Sequence, residues 1–334
     1  MKLRYRFLLA CLFLTAGIAL NAIDWQSWKY GDIRVTAAPK DTSYATMVVK
    51  RLHQRINAFQ MKLGVYPTNP LNIKIVPSRQ EYRRITSGKG KIVESSEAFY
   101  SPRERLIYVR SPEQVNFEIY DNLLMHEYIH WFLDETLENV PLWFHEGMAM
   151  YYSGQYGFET YYNFSRYRFM GYKLSLRDMA YNYPADKSYW SMFYLTSVFA
   201  VNHLATTRSA DWTVFWDMVS YNYNRSDGNI TVKSDFSRTF NVAFRTSLYG
   251  FSRDYDKVLR RYGWQFPLIG INAILFSLLP FVIIAGWLRS RRRLKAMPDT
   301  DLSLDDDLSD PEQDTPQDKD PVNPETPEDG SETR

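Results

Sequence analysis

Hydrophobic and polar positions follow different rules in different parts of the chain. DIRVTAA reads as a strand. LNIKIVPS alternates at period two, which puts Leu71, Ile73 and Ile75 on one face of a second. Between them Ala45, Val48, Val49, Leu52, Ile56, Phe59 and Leu63 recur at helical spacing, with Asp41 or Thr42 as cap and Gly64 as stop. EAFYSPRERLIYVRSP reads as a hairpin turning at residues 101–104. Beyond residue 114 the period is helical almost to residue 266. The pattern predicts an α+β fold in which a small β-containing lobe precedes a helical lobe. Residues 114–135 open the second lobe as a helix with Val115, Ile119, Leu123 and Phe132 on its buried side.

Two stretches are apolar without any period. Residues 1–22, MKLRYRFLLACLFLTAGIALNA, begin with Lys2, Arg4 and Arg6 and run apolar to small residues near Ala19 and Ala22. This is the layout of a signal peptide, with an uncleaved anchor as the alternative. Residues 267–288, PLIGINAILFSLLPFVIIAGWL, are long enough to cross the ~30 Å of a bilayer's hydrocarbon as a transmembrane helix. Five basic side chains follow between residues 289 and 295, which the positive-inside rule places in the cytoplasm. Both segments imply one topology: residues 23–266 are an extracytoplasmic domain, and residues 289–334 stay inside.

Charge alters this picture only at its ends. Residues 299–334 hold 14 acidic and 2 basic side chains and almost no aromatic ring, so the tail is expected to be disordered, with recruitment of a cytoplasmic partner as the functional alternative. The exported stretch carries 30 basic against 24 acidic side chains. That excess suits an anionic envelope surface and is too small to argue for nucleic-acid binding. Cys11, the only cysteine, lies in the expected signal segment. The exported domain therefore has no disulfide and no thiolate metal site, which fits a bacterial cell envelope, and any metal must be held by histidine and carboxylate.

Residue types and spacing point to such a metal. In LLMHEYIHWFL, His126 and His130 stand one helical turn apart and can share an ion, and Glu127 lies beside them, able to accept a proton from water. With five histidines in 334 residues, this pattern is rare by accident. In NVPLWFHEGMAMYYSG, Pro141 can open a second helix and Gly147 permits a close approach, so that Glu146 is presented to the first helix as a third ligand. His145, about 100° around that helix, is the alternative. Two histidines and a glutamate form a catalytic zinc set that leaves a coordination position for water.

The paired stretches resemble the gluzincin metallopeptidases, within them the peptidase-MA-like family, in which an HExxH helix is followed by a W-x-x-E-G-x-A helix. Here the second motif is Trp143, Glu146, Gly147 and Ala149. The likeness covers roughly residues 30–265. It implies a two-lobed zincin, thermolysin-like domain, Zn2+ on His126, His130 and Glu146, Glu127 as general base, and a peptide or protein substrate. It also implies that the strand at residues 105–110 is an edge to which an extended substrate adds, and that Tyr189 stabilises the oxyanion. Met192 and Met150 depart from the pattern, the latter standing where a thermolysin-like arrangement has an aspartate supporting a ligand.

The expected function is that of a membrane-anchored zinc metallopeptidase acting outside the cytoplasm. The alternative is a catalytically silent domain of the same fold that binds an envelope partner. The aromatic-rich residues 151–194 are read as helix packing next to a membrane, and His53 and His203 as structural.

Overall fold

The helix predicted between the first strands forms because its apolar positions share one face. In the computed structural model, which describes residues 24–225 and 232–295, α1 (Thr42–Leu63) buries the seven side chains named above. It stops at Gly64, whose φ of 69° suits glycine. Asp41, the residue before it, makes no side-chain cap; its buried carboxylate accepts a hydrogen bond from Ser111 Oγ at 2.6 Å. The expected signal segment at residues 1–22 and the acidic tail at residues 299–334 lie outside the described residues.

α1 lies against a five-stranded sheet of β1 (Gln26–Tyr30), β2 (Ile33–Ala37), β3 (Leu71–Val76), β4 (Ala98–Ser101) and β5 (Leu106–Arg110), ordered β1-β2-β3-β5-β4. β2, β3 and β5 run parallel; β1 and β4 are antiparallel edges. The predicted hairpin is β4–β5, and α2 (Arg79–Thr86) and α3 (Lys91–Ser95) carry the chain to it from β3.

The edge is on the other arm of that hairpin from the one expected. β5 is internal, paired through Ile107 with Ile73 of β3, and Ile107 and Val109 are completely buried. Such apolar strands belong inside a sheet, while a four-residue strand such as β4 is tolerated at its margin.

α4 (Phe117–Thr136) carries the two histidines and packs against β4, α1 and α5 (Leu142–Ser153). Because neighbours cover it from several sides, Leu124, Met125, Tyr128, Ile129, Trp131, Phe132 and Leu133 are all buried and no single stripe exists. Ile119, expected on the buried side, lies in its first turn and is 47% exposed.

The helical part continues with α6 (Phe158–Phe169), α7 (Trp190–Thr207), α8 (Ser209–Tyr223) and α9 (Phe236–Phe244). A two-residue parallel pair, β6 (Leu137–Glu138) with β7 (Ser234–Asp235), ties the end of α4 to the start of α9. Gly147 of α5 does permit a close approach, but to α7 rather than α4: a Cβ there would meet the Ser197 carbonyl oxygen at 2.4 Å and Val201 Cγ2 at 2.7 Å.

These elements and the chain to Ile274 form one compact unit; a second begins at Leu275. The last helix, α10 (Leu248–Lys295), runs through both and is, among the described residues, the one long and apolar enough to cross a membrane.

Candidate metal centre

His126 and His130 are consecutive-turn neighbours on α4, with ring centroids 4.9 Å apart. Glu146, on α5, brings Oε2 to 3.5 Å from His126 Nε2 and 3.8 Å from His130 Nε2. One ligand atom from each of the three lies within 4.8 Å of the others. Three donors at ~2.0–2.1 Å from a tetrahedral zinc would stand roughly 3.3 Å apart, so the set is close to the required size.

The state of Glu146 supports the same fit. The residue is 4% exposed; its Oε1 accepts a hydrogen bond from the Tyr183 hydroxyl, while the buried Oε2 has no hydrogen-bond partner among the described residues. A buried carboxylate oxygen facing two imidazole nitrogens without a donor is a place for a cation. His145 is adjacent, its ring centroid 5.7 Å from that of His130, but it does not join the three-residue group. Of the two alternatives for a third member, Glu146 is the one that lies with the two histidines.

Electrostatics leaves these groups unlike one another. Burial holds His130 down to about 3, with His126 and His145 adding and Glu146 opposing. Burial favours the neutral acid of Glu146, but His130, His126 and the Tyr183 hydroxyl outweigh it and pull the carboxyl down to about 2. His130 is thus held neutral and Glu146 ionised, the forms in which such side chains can bind a metal. Burial also opposes protonation of His126, yet Glu146, Glu127 and Gln155 raise it above the ordinary value.

Glu127 is tied to the sheet through one carboxylate oxygen. Its Oε2 accepts the backbone N–H of Tyr100, on β4, at 2.7 Å. Burial raises its carboxyl to about 7, with the Glu146 charge adding and His126 and the Tyr100 amide opposing. A carboxyl that titrates near neutrality beside a donor cluster is suited to move a proton.

All four groups line one open cavity of about 790 Å³. β4 and the segment before it form one wall, and α3, α4 and α5 supply apolar side chains such as Val93, Leu123 and Met150.

Three residues around this group were not legible in the chain. Gln155, just past the end of α5, places Oε1 3.1 Å from His126 Nδ1 and so supports that ring where Met150 cannot. Tyr183 reaches Glu146 from the segment between α6 and α7, and Tyr194 of α7 also lines the cavity. Nothing in spacing singles these two out among 25 tyrosines. Tyr189, the residue expected here, is not among the lining residues; it precedes the first turn of α7 and packs its ring on Tyr172 at 5.4 Å. His53, against Tyr30, and His203, against Tyr255, pack on aromatic rings and are absent from the lining.

No family model matches the chain. It is similar to an uncharacterized protein, YhcO of Bacillus subtilis (strain 168), with 23% identity over 271 residues, covering 75% of this chain and 78% of that protein.

Proposed function

We propose that this chain is a membrane-anchored zinc metallopeptidase of the gluzincin type, hydrolysing peptide bonds outside the cytoplasm. The observation that carries the reading is the His126–His130–Glu146 set, in which the buried Glu146 has one carboxylate oxygen without a donor among the described residues, beside Glu127 in an open cavity. His126, His130 and Glu146 would hold the zinc. Bound there, it would supply Lewis acidity to a water molecule and to a substrate carbonyl.

The chain's own groups account for the rest. Glu127, whose carboxyl is raised by burial above its ordinary value, accepts a proton from the attacking water and returns it to the leaving amine. The Tyr100 amide fixes one of its oxygens and leaves the other for the proton. Tyr183 is engaged with Glu146 and Tyr100 with Asp134, so among the described tyrosines lining the cavity Tyr194 is the one to serve a developing oxyanion; burial raises its pKa and keeps it a donor.

β4 offers the substrate a backbone. Arg110 N–H donates to Glu97 O, so by the antiparallel alternation Phe99 and Ser101 face β5 while Ala98 and Tyr100 face outward. An extended peptide pairs with those outward groups. α10 anchors the domain, with residues 289–334 on the cytoplasmic side.

The test is metal content and peptidase activity of the full chain, wild type beside Glu127→Gln. One zinc per chain in both, with activity reduced roughly 10²–10⁴-fold in the variant, is the expected result. Full activity in a zinc-loaded Glu127→Gln protein would overturn the mechanism. Zinc without turnover in the wild type would favour the silent partner-binding domain instead.

A further inference from the structure

α6 has two apolar faces, and the core explains only one. Phe164, completely buried, stacks on Phe199 of α7 at 4.3 Å, and Tyr161 packs on the same ring at 6.1 Å. On the other side Phe158, Tyr162 and Phe169 follow one another at intervals of four and seven residues, which aligns them along a single stripe. Phe158 is 74% exposed, Phe169 is more than half exposed, and the exposed Met170 follows directly at the helix end. A row of large exposed apolar side chains on one helix marks a contact surface.

What covers this stripe follows from what it already touches. Phe266 of α10 packs on Tyr162 at 5.5 Å and on Phe169 at 5.6 Å, and Tyr161 donates a hydrogen bond to Gln265. Phe266 is the last residue before the apolar stretch that begins at Pro267. When that stretch crosses a bilayer, Phe266 sits at the hydrocarbon boundary. The headgroup layer on each side is roughly 5–8 Å deep. Rings centred 5.5 and 5.6 Å from Phe266 therefore stand at the depth of the interface. Trp264, 73% exposed and two residues before Phe266 on α10, is the residue type enriched at that depth, and exposed Arg260 and Arg261 one turn earlier suit anionic headgroups.

We infer that the outer face of α6, with Trp264 and Phe266 of α10, lies in the lipid interface, so that the domain docks on the membrane at a second place besides its span. The inference rests on the reading of α10 as a transmembrane helix. Its chemistry is a lipid surface contacted by aromatic rings and a methionine and flanked by arginines.

The experiment uses the full chain with Cys11→Ser, reconstituted in phosphatidylcholine–phosphatidylglycerol vesicles. Single cysteines at Met170, Phe276 or Met61 carry an environment-sensitive fluorophore, and nitroxide lipids serve as quenchers. Phe276 reports the span, and Met61, exposed on α1, reports water. The expected result is blue-shifted emission at position 170 with several-fold stronger quenching by a headgroup-proximal nitroxide than at position 61, while position 276 responds to an acyl-chain nitroxide. Quenching at 276 with position 170 behaving as position 61 would overturn the docking face and leave the span intact. A blue-shifted but unquenched label at 170 would mean that a second protein copy covers the face, and would also overturn it. No quenching at 276 would remove the span and the inference with it.

Discussion

α5 and α6 are neighbouring helices of twelve residues each, and they break the usual distribution of polar and apolar groups in opposite ways. α5 is buried along most of its length and encloses a carboxylate, Glu146. α6 is half packed and turns phenylalanines outward. A buried charge and an exposed apolar row are the two informative exceptions to inside–outside sorting. The first is the basis of the proposed metal site; the second is the basis of the proposed lipid contact.

The largest expected effect separates a ligand from a structural ion pair. Glu146→Gln keeps an acceptor for Tyr183 and removes the charge. It should abolish stable zinc binding, read as metal content after dialysis, while the metal-free protein unfolds at the wild-type denaturant midpoint or above it. A clear loss of metal-free stability would mean that the charge serves folding instead.

The packing difference between the helices comes next. Gly147→Ala forces a Cβ against a backbone carbonyl at 2.4 Å, and should destabilise the detergent-solubilised chain by about 2–3 kcal/mol. Gly157→Ala, at the start of α6, meets nothing within 4 Å and should change stability by less than about 0.5 kcal/mol. Equal losses at the two sites would erase the contrast.

Gln155, in the short link between the two helices, should matter through His126 alone. Gln155→Ala is expected to weaken zinc binding about 10–100-fold, measured by competition with a chelator, with the fold unchanged. The smallest effect belongs to the outer face. Phe169→Ser should leave stability within about 0.5 kcal/mol of wild type, since the side chain is largely exposed, yet reduce lipid quenching at position 170.

Legibility followed the number of faces an element buries. α1 covers a sheet with one face, so helical spacing named its seven buried residues without error. α4 is covered on several sides, so spacing mistook Ile119 for core. His126, His130 and Glu146 were legible because ligand chemistry restricts residue type and spacing together. Gln155 and Tyr183 were not, because each reaches the site from a segment with no period. The outer face of α6 escaped for a further reason: a pattern of hydrophobicity does not separate apolar residues that become buried from those that stay exposed.

The hydrogen bond from Tyr100 to Glu127 has one more consequence. It removes a donor from the free margin of β4, leaving an incoming chain the Ala98 amide and the carbonyls of Ala98 and Tyr100. Three groups on two alternate residues admit a single phase of pairing, and a slip of one residue would exchange the side chains facing the cavity for those facing away. On the proposed peptidase reading, the position cut in an extended peptide would then be measured by the main chain, as on a ruler with two marks, before any side chain is inspected.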